Sequence, residues 1–212
     1  MSNYSIRKDM HKAGQARIFQ NDFLESLTKT NPVQNIVVYG LTIASMIYVA
    51  LMIKHIPLLE FVGLFVFALF FWTFAEYILH RYMFHFVNEN PLVKRFHFIM
   101  HGSHHEFPKD EERLLMPPVP GLILATILFT VFFMIFSILG FTDYTWAFFP
   151  GFFLGYLLYS FVHRATHVYK PPRGLQILWT HHSLHHYKYP NKCFGVSNTI
   201  WDHVFGTMPP KQ

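Results

Sequence analysis

The chain has 212 residues, of which 52% are hydrophobic, 19% aromatic and 14% charged, where a soluble domain is about one quarter charged. This balance excludes a soluble module. A formal charge of +5, with no basic run interleaved with base-reading residues, also excludes a nucleic-acid partner.

Residues 1–32 are polar and basic, carrying Arg7, Lys8, Lys12, Arg17 and Lys29, and read as an N-terminal segment without a secretory signal peptide. A membrane-embedded unit over 33–212 follows. A bilayer core needs about 20 apolar residues per helix. Residues 33–53 meet this without a charge. KHIP (54–57) forms a tight turn, and Pro57 opens a second span over 57–79 that holds Glu60 near the turn and Glu76 near its far end. A third span covers 119–140. After a short FTD turn a fourth covers 144–162, with a kink expected at Pro150. None of the four shows the regular polar face of a soluble helix. Two helical hairpins result, with both termini on one side. Of the 17 Lys and Arg only Lys54 falls in a far-side turn, so the positive-inside rule places the near side in the cytoplasm. The expected fold is all-α: four transmembrane helices in two hairpins beneath a cytoplasmic cap. Cys193, the single cysteine, excludes an internal disulfide and reads as a small buried hydrophobe.

The cap is rich in histidine. His55 is the only far-side histidine of 15. Four boxes hold ten of the others: HRYMFH (His80, His85), HGSHH (His101, His104, His105), HRATH (His163, His167) and HHSLHH (His182, His185, His186, preceded by His181). In a helix, positions i, i+3 and i+4 share a face, which groups His101 with His104 and His105, His182 with His185 and His186, and His163 with His167. Neutral imidazole is the commonest metal ligand. Ten are too many for one ion, and two ions with about five each use them all. Metal-bound histidines usually pass their outer N–H to a carboxylate or carbonyl. Glu76, one turn before His80 and within the membrane, and Asp202 in WDHVFG are the candidate carboxylates. His97, four residues before His101, is given a supporting place beside the ligands. His11, His55 and His203 stand outside the boxes.

These boxes resemble the fatty acid hydroxylase superfamily, and within it the fatty acid 2-hydroxylase branch. The resemblance runs from IFQNDFLE (18–25) to the end of the chain. It is strongest in WTFAEYILHRYMFH (72–85), FHFIMHGSHHEFPKD (96–110), RLLMPP (113–118) and FGVSNTIWDHVFGT (194–207). It carries the family's ten metal ligands onto His80, His85, His101, His104, His105, His163, His167, His182, His185 and His186. It implies two iron ions, O2 as co-substrate and hydroxylation of the acyl chain of a fatty acid or ceramide at C2. Zinc can replace iron in purified protein. The chain has no His-Pro-Gly-Gly haem motif, no GxGxxG and no cysteine cluster, so a separate donor of the cytochrome b5 or ferredoxin type is expected to supply electrons at the cytoplasmic face. The expected location is the endoplasmic reticulum membrane in a eukaryote or the inner membrane in a bacterium. The family pattern places an aspartate where Ser160 stands, and often a tyrosine where this chain has His181.

Three other readings share part of this pattern. A sterol or carotenoid hydroxylase or desaturase of the same superfamily keeps the boxes and changes the pocket. A membrane zinc hydrolase wants three ligands and a base, as in HExxH, which does not occur here. A metal-binding transporter places its site near the bilayer midplane, where these spans hold no histidine. Residues 86–118, with the Pro117–Pro118 pair, are the candidate lid.

Overall fold

The computed structural model describes residues 14–210, so His11 and the first basic residues lie outside the described part. The described residues form helices and no strands. Among the described residues, four helical stretches are long and apolar enough to cross a membrane: Pro32–Ile53, Leu58–Phe84, Glu111–Ile138 and Thr142–Val168. The protein is an integral membrane protein of two helical hairpins.

Short α1 (Asp22–Ser26) precedes α2 (Pro32–Tyr48). Asn31 caps α2 by accepting from the Gln34 N–H, with Pro32 in the first turn, where its missing N–H strands nothing. A π-helical turn, Val49–Ile53, carries α2 to its end. Then α3 (Leu58–Ile78) returns and runs on as a second π-turn, Leu79–Phe84. The cap continues with α4 (Pro91–His97), a third π-turn (Phe98–Gly102) and α5 (Ser103–Glu106). The second hairpin is α6 (Pro118–Ile138) and α7 (Thr145–Val168), and α8 (Gln176–Tyr187) and α9 (Ile200–Val204) complete the cap. On the far side Lys54 pairs with Asp143 at 2.7 Å, and Tyr144 donates to Glu60, so the turns of the two hairpins are tied together.

α7 is the central helix: 61% of its apolar window is buried, against 11–22% in the other three. Its phenylalanines Phe148, Phe149, Phe152 and Phe153 are core residues, not lipid-facing ones. Trp72 of α3 meets Phe152 edge-on at 5.0 Å. Pro150 lies inside α7, which stays one continuous helix through it. Gly151 and Gly155, four residues apart, let α7 approach α3 closely. A Cβ at Gly151 would stand 2.2 Å from the Phe65 carbonyl oxygen, and one at Gly155 would stand 2.5 Å from Trp72 Cβ. Backbone cannot yield as a side-chain tip can. Gly151→Val is therefore expected to cost at least about 2 kcal/mol by forcing α3 and α7 apart, read as a lowered unfolding midpoint in detergent. An unchanged midpoint would mean that the close approach contributes nothing to stability.

Two of the helices extend beyond the spans read from the sequence. The apolar stretch of α3 was expected to end at 79, and the helix runs to Phe84; that of α7 was expected to end at 162, and the helix runs to Val168. Both extensions carry histidines, whose polarity hides the continuing helix from a hydropathy reading.

Candidate metal centre

The extensions bring the boxes together. Five histidines, His80, His85, His101, His105 and His185, place one ring nitrogen each within 4.8 Å of all the others. His104, His163, His167, His182 and His186 form a second group of five by the same measure. The adjacent pair His104 and His105 is split between the groups, and so is the pair His185 and His186. Successive helical side chains diverge by about 100° and so serve two centres. His80 and His85, five apart, would diverge in an α-helix. The π-turn closes the His85 N–H onto the His80 carbonyl at 3.2 Å and brings both rings to one side.

The nitrogens facing inward are Nε2 atoms. In the first group Nε2 of His80 lies 3.0 Å from that of His101 and 3.3 Å from that of His85. Nε2 of His185 lies 3.0 Å from that of His85, and Nε2 of His105 lies 2.9 Å from that of His101. In the second group the contacts are His104–His163 at 2.9 Å, His104–His186 at 3.0 Å and His167–His182 at 2.8 Å. The outer nitrogens decide the tautomers. His80 Nδ1–H donates to the Phe194 carbonyl at 2.5 Å, and His185 Nδ1–H to the Lys192 carbonyl at 2.7 Å. Each of these rings therefore turns a bare lone pair inward. His85 has one proton at most to share between two such neighbours. The lone pairs of His80 and His185, with only one shared proton available between them at His85, repel unless a cation sits among them. Metal–nitrogen bonds of about 2.0–2.1 Å put neighbouring donors roughly 3 Å apart, the spacing seen in both groups. The clusters can hold metal ions.

Electrostatics point the same way. Burial holds His101, His104, His105, His182, His185 and His186 well below the usual imidazole range, and neighbouring histidines lower them further. These rings are neutral at physiological pH, which is the ligand form.

The carboxylates act at one remove. The hydrogen bonds of Glu76 and Asp202 go to residues other than the ten clustered histidines. Glu76 was expected beside His80, one turn away. Its Oε1 instead accepts the N–H groups of Val196 (2.7 Å) and Ser197 (2.9 Å), and Ser197 Oγ donates to its other oxygen. Asp202 accepts the N–H groups of Phe194 (2.9 Å) and Gly195 (2.7 Å), the Thr207 hydroxyl (2.7 Å) and His181 Nε2 (2.9 Å). Two buried acids thus capture the amides of four consecutive residues, 194–197. The same loop offers the carbonyls that orient His80 and His185. In an apolar surround those amides need acceptors more than His80 needs a carboxylate. Cys193, buried at the start of the loop, has φ 61°, and its N–H donates to the Thr207 carbonyl at 2.9 Å.

His181 is fully buried and belongs to Asp202, not to a cluster. Ser160 Oγ donates to the Tyr156 carbonyl at 2.9 Å, and the neighbouring Tyr159 stacks on His163 at 5.9 Å. His97 lies against Gly102, where a Cβ would meet its ring at 2.8 Å. His55 sits in the far-side turn and His203 on α9, both exposed. Residues 86–118 are not separate from the cage, since they carry His101, His104 and His105.

Sequence reading missed the carbonyls of Lys192 and Phe194, because a backbone acceptor has no residue code. It also missed the part taken by the N-terminal segment. Arg113, in the RLLMPP motif, pairs with Asp110 at 2.7 Å and with Glu25, and Glu25 accepts the N–H groups of Ile18 (2.9 Å) and Phe19 (2.7 Å). This buried network pins residues 16–28 across a cavity of about 380 Å³. His101, His104 and His163 line it on one side, and Leu24, Val119 and Ile123, all exposed at the outer surface, line it on another. The cavity thus joins both clusters to the apolar surround.

Fold and site define a four-span membrane protein with paired histidine cages beside an apolar cavity. Known proteins place it further. Residues 65–207 match the fatty acid hydroxylase family. The chain is 38% identical over 157 residues to the fatty acid 2-hydroxylase of Mus musculus, a match covering 72% of this chain and 41% of the mouse protein. It is 34% identical over 198 residues to the dihydroceramide fatty acyl 2-hydroxylase FAH1 of Arabidopsis thaliana, covering 91% and 80%. It is 36% identical over 203 residues to the ceramide very long chain fatty acid hydroxylase SCS7 of Saccharomyces cerevisiae, covering 92% and 50%. The solved structure of full-length scs7p, with only its hydroxylase domain visible, superposes with a TM-score of 0.83 at 36% identity, over 93% of this chain and 74% of that one. The chain belongs to the fatty acid hydroxylase family. It spans about two fifths of the length of the mammalian relatives.

Proposed function

We propose that this chain hydroxylates the acyl chain of a fatty acid or ceramide at C2, using O2 and two iron ions held by the ten clustered histidines. The observation that carries the reading is the opening of both five-histidine clusters, through His101, His104 and His163, onto an apolar cavity at the edge of the spans. When bound, an iron pair would supply the redox chemistry that exchanges a C–H hydrogen for hydroxyl, the second oxygen atom of O2 leaving as water with two electrons and two protons from outside the chain.

The chain's own residues do the rest. His80 and His185, oriented by the Phe194 and Lys192 carbonyls, turn their Nε2 donors toward the first cluster. Glu76 and Asp202 hold the loop that fixes them. The cavity walls exclude water and select an apolar chain. Zinc stands ahead of iron(II) in the affinity order and competes for the same donors. Two electrons come from a separate donor of the cytochrome b5 or ferredoxin type at the cap. The cap faces the cytoplasm, on the basic asymmetry of the sequence, in the endoplasmic reticulum membrane of a eukaryote or the inner membrane of a bacterium. Residues 33–212 are the membrane-embedded hydroxylase unit.

The test is mass spectrometry of hydrolysed lipids from aerobic cells that lack 2-hydroxy fatty acids, express this chain and hold a working donor. New 2-hydroxy acyl species are expected, and none with His104→Ala. If the intact chain yields no such species while the donor is active, the C2 reading fails.

A further inference from the structure

A second cavity, of about 100 Å³, lies within the helix bundle between α3, α6 and α7. It shares Phe84, Met116, Tyr156 and Tyr159 with the cavity that touches the clusters. These four side chains stand between the two, and Met116 among them can move to open a neck. Below the neck the lining is apolar except for Glu76, whose carboxylate is already engaged by Val196 and Ser197. On α6, Gly121, Leu124, Ala125 and Leu128 follow one helical face. On α7 the lining runs from Tyr159 back to Phe149, ten residues and so about 15 Å along the axis. Trp72, Leu128 and Phe149 lie at the deep end, toward the far side of the membrane. Met116, unbranched and flexible, can swing without displacing backbone. The Met116 main chain stays fixed, because its carbonyl accepts from Asn35 Nδ2 and Tyr39 Oη, each at 3.0 Å.

We propose that the inner cavity receives the distal part of the acyl chain, and that Ala125 and Leu128 on its α6 wall set the chain length the enzyme accepts. This rests on the acyl reading above. The reacting end of the substrate lies in the outer cavity beside His101, His104 and His163. Its tail has two ways to go: out past Leu24 and Ile123 into the bilayer, or through the neck into the bundle. A tail in the bilayer meets no wall, and length is not sensed. A tail in the bundle meets a floor. An apolar cavity next to the site, inside a bundle otherwise closely packed with aromatic rings, favours the second.

Two variants move the floor in opposite directions. Ala125→Leu fills the cavity halfway down, and Leu128→Ala deepens it. Products of each are compared with those of the unaltered chain in cells supplied with a mixture of saturated fatty acids. Ala125→Leu is expected to shift the ratio of long to short 2-hydroxy products downward by roughly tenfold, as apolar pockets discriminate single methylenes. Leu128→Ala is expected to shift it upward. General loss of stability cannot produce opposite shifts. Unchanged ratios in both variants, with total product detectable, overturn the proposal.

A binding measurement separates this from failure of the catalytic reading. A fatty acid brominated in its distal half is expected to quench Trp72 fluorescence in the purified chain, the signal being the part lost in Trp72→Phe. Ala125→Leu should abolish that part. Quenching by the unaltered chain without hydroxylation sinks the C2 reading and keeps the tail site. Hydroxylation without quenching of Trp72 sinks the tail site and keeps the C2 reading.

Discussion

His185→Ala is expected to lower hydroxylation at least about a thousandfold, in line with the loss of one member of a unit that acts together, while the chain still inserts and folds. His104→Ala is expected to do the same from the other cluster. His185 is one of five inward nitrogens of the first group, and it alone also ties α8 to the Lys192 carbonyl. Its loss removes a donor and frees the helix that carries it. His104 contacts both His163 and His186 through Nε2, so its loss opens the centre of the second group. Neither residue lies in the apolar middle of a span, so insertion is not at stake. Metal analysis after mild chelation is the decisive measurement. The intact chain should hold two ions, each single variant one, and His104→Ala/His185→Ala none. Full activity in either single variant would remove that histidine from the site. Loss of both ions from one single variant would mean that the clusters are not separate centres.

Asp202→Ala has the largest expected effect on stability. The carboxylate is fully buried and accepts from two amides, a hydroxyl and an imidazole. Alanine strands all four donors. The cost is on the order of 3–5 kcal/mol, the usual scale for removing one member of a buried charged network. In a chain of this size that lowers the unfolding midpoint by on the order of 10 °C. Asp202→Asn keeps an acceptor oxygen and should fall in between. The damage should also be local. The loop that Asp202 holds orients His80 and His185, both in the first cluster, so that cluster should lose its ion before the second does. Equal loss from both clusters would mean that Asp202 supports the cap generally. Burial pushes this carboxyl up, but bonds from His181, Thr207 and Gly195 outweigh it and hold its pKa below the usual carboxylate value. The folded-state pKa is thus depressed. Its stabilisation is complete at neutral pH and fades only as pH falls through and below about 4.

Much of this was legible in the sequence, for identifiable reasons. Uncharged apolar runs long enough to span a bilayer have few other uses, so the four spans and the two hairpins could be read directly. Lys54 alone on the far side, and His55 with it, fixed which end carries the chemistry. The i, i+4 spacing of His163 and His167 and the crowding of 182–186 pointed to metal. What could not be read depends on backbone. The five-residue gap between His80 and His85 looks wrong for a shared face until a π-turn supplies the missing rotation. The division of His104 from His105, and of His185 from His186, follows from where neighbouring helices stand, not from any local pattern. Glu76 carried the right signal, an acid inside a membrane, but its partners are amides 120 residues away. The burial of the four phenylalanines of α7 could not be read either, because composition cannot tell the central helix of a bundle from the outer ones.

α8 supplies His185 to one cluster and His182 and His186 to the other. The remaining seven histidines lie between residues 80 and 167, so neither cage is complete until α8 has left the ribosome. By then all four spans have been made and can already be in the bilayer. An ion that needs all five donors of either cage can therefore be bound only after the last span has been made.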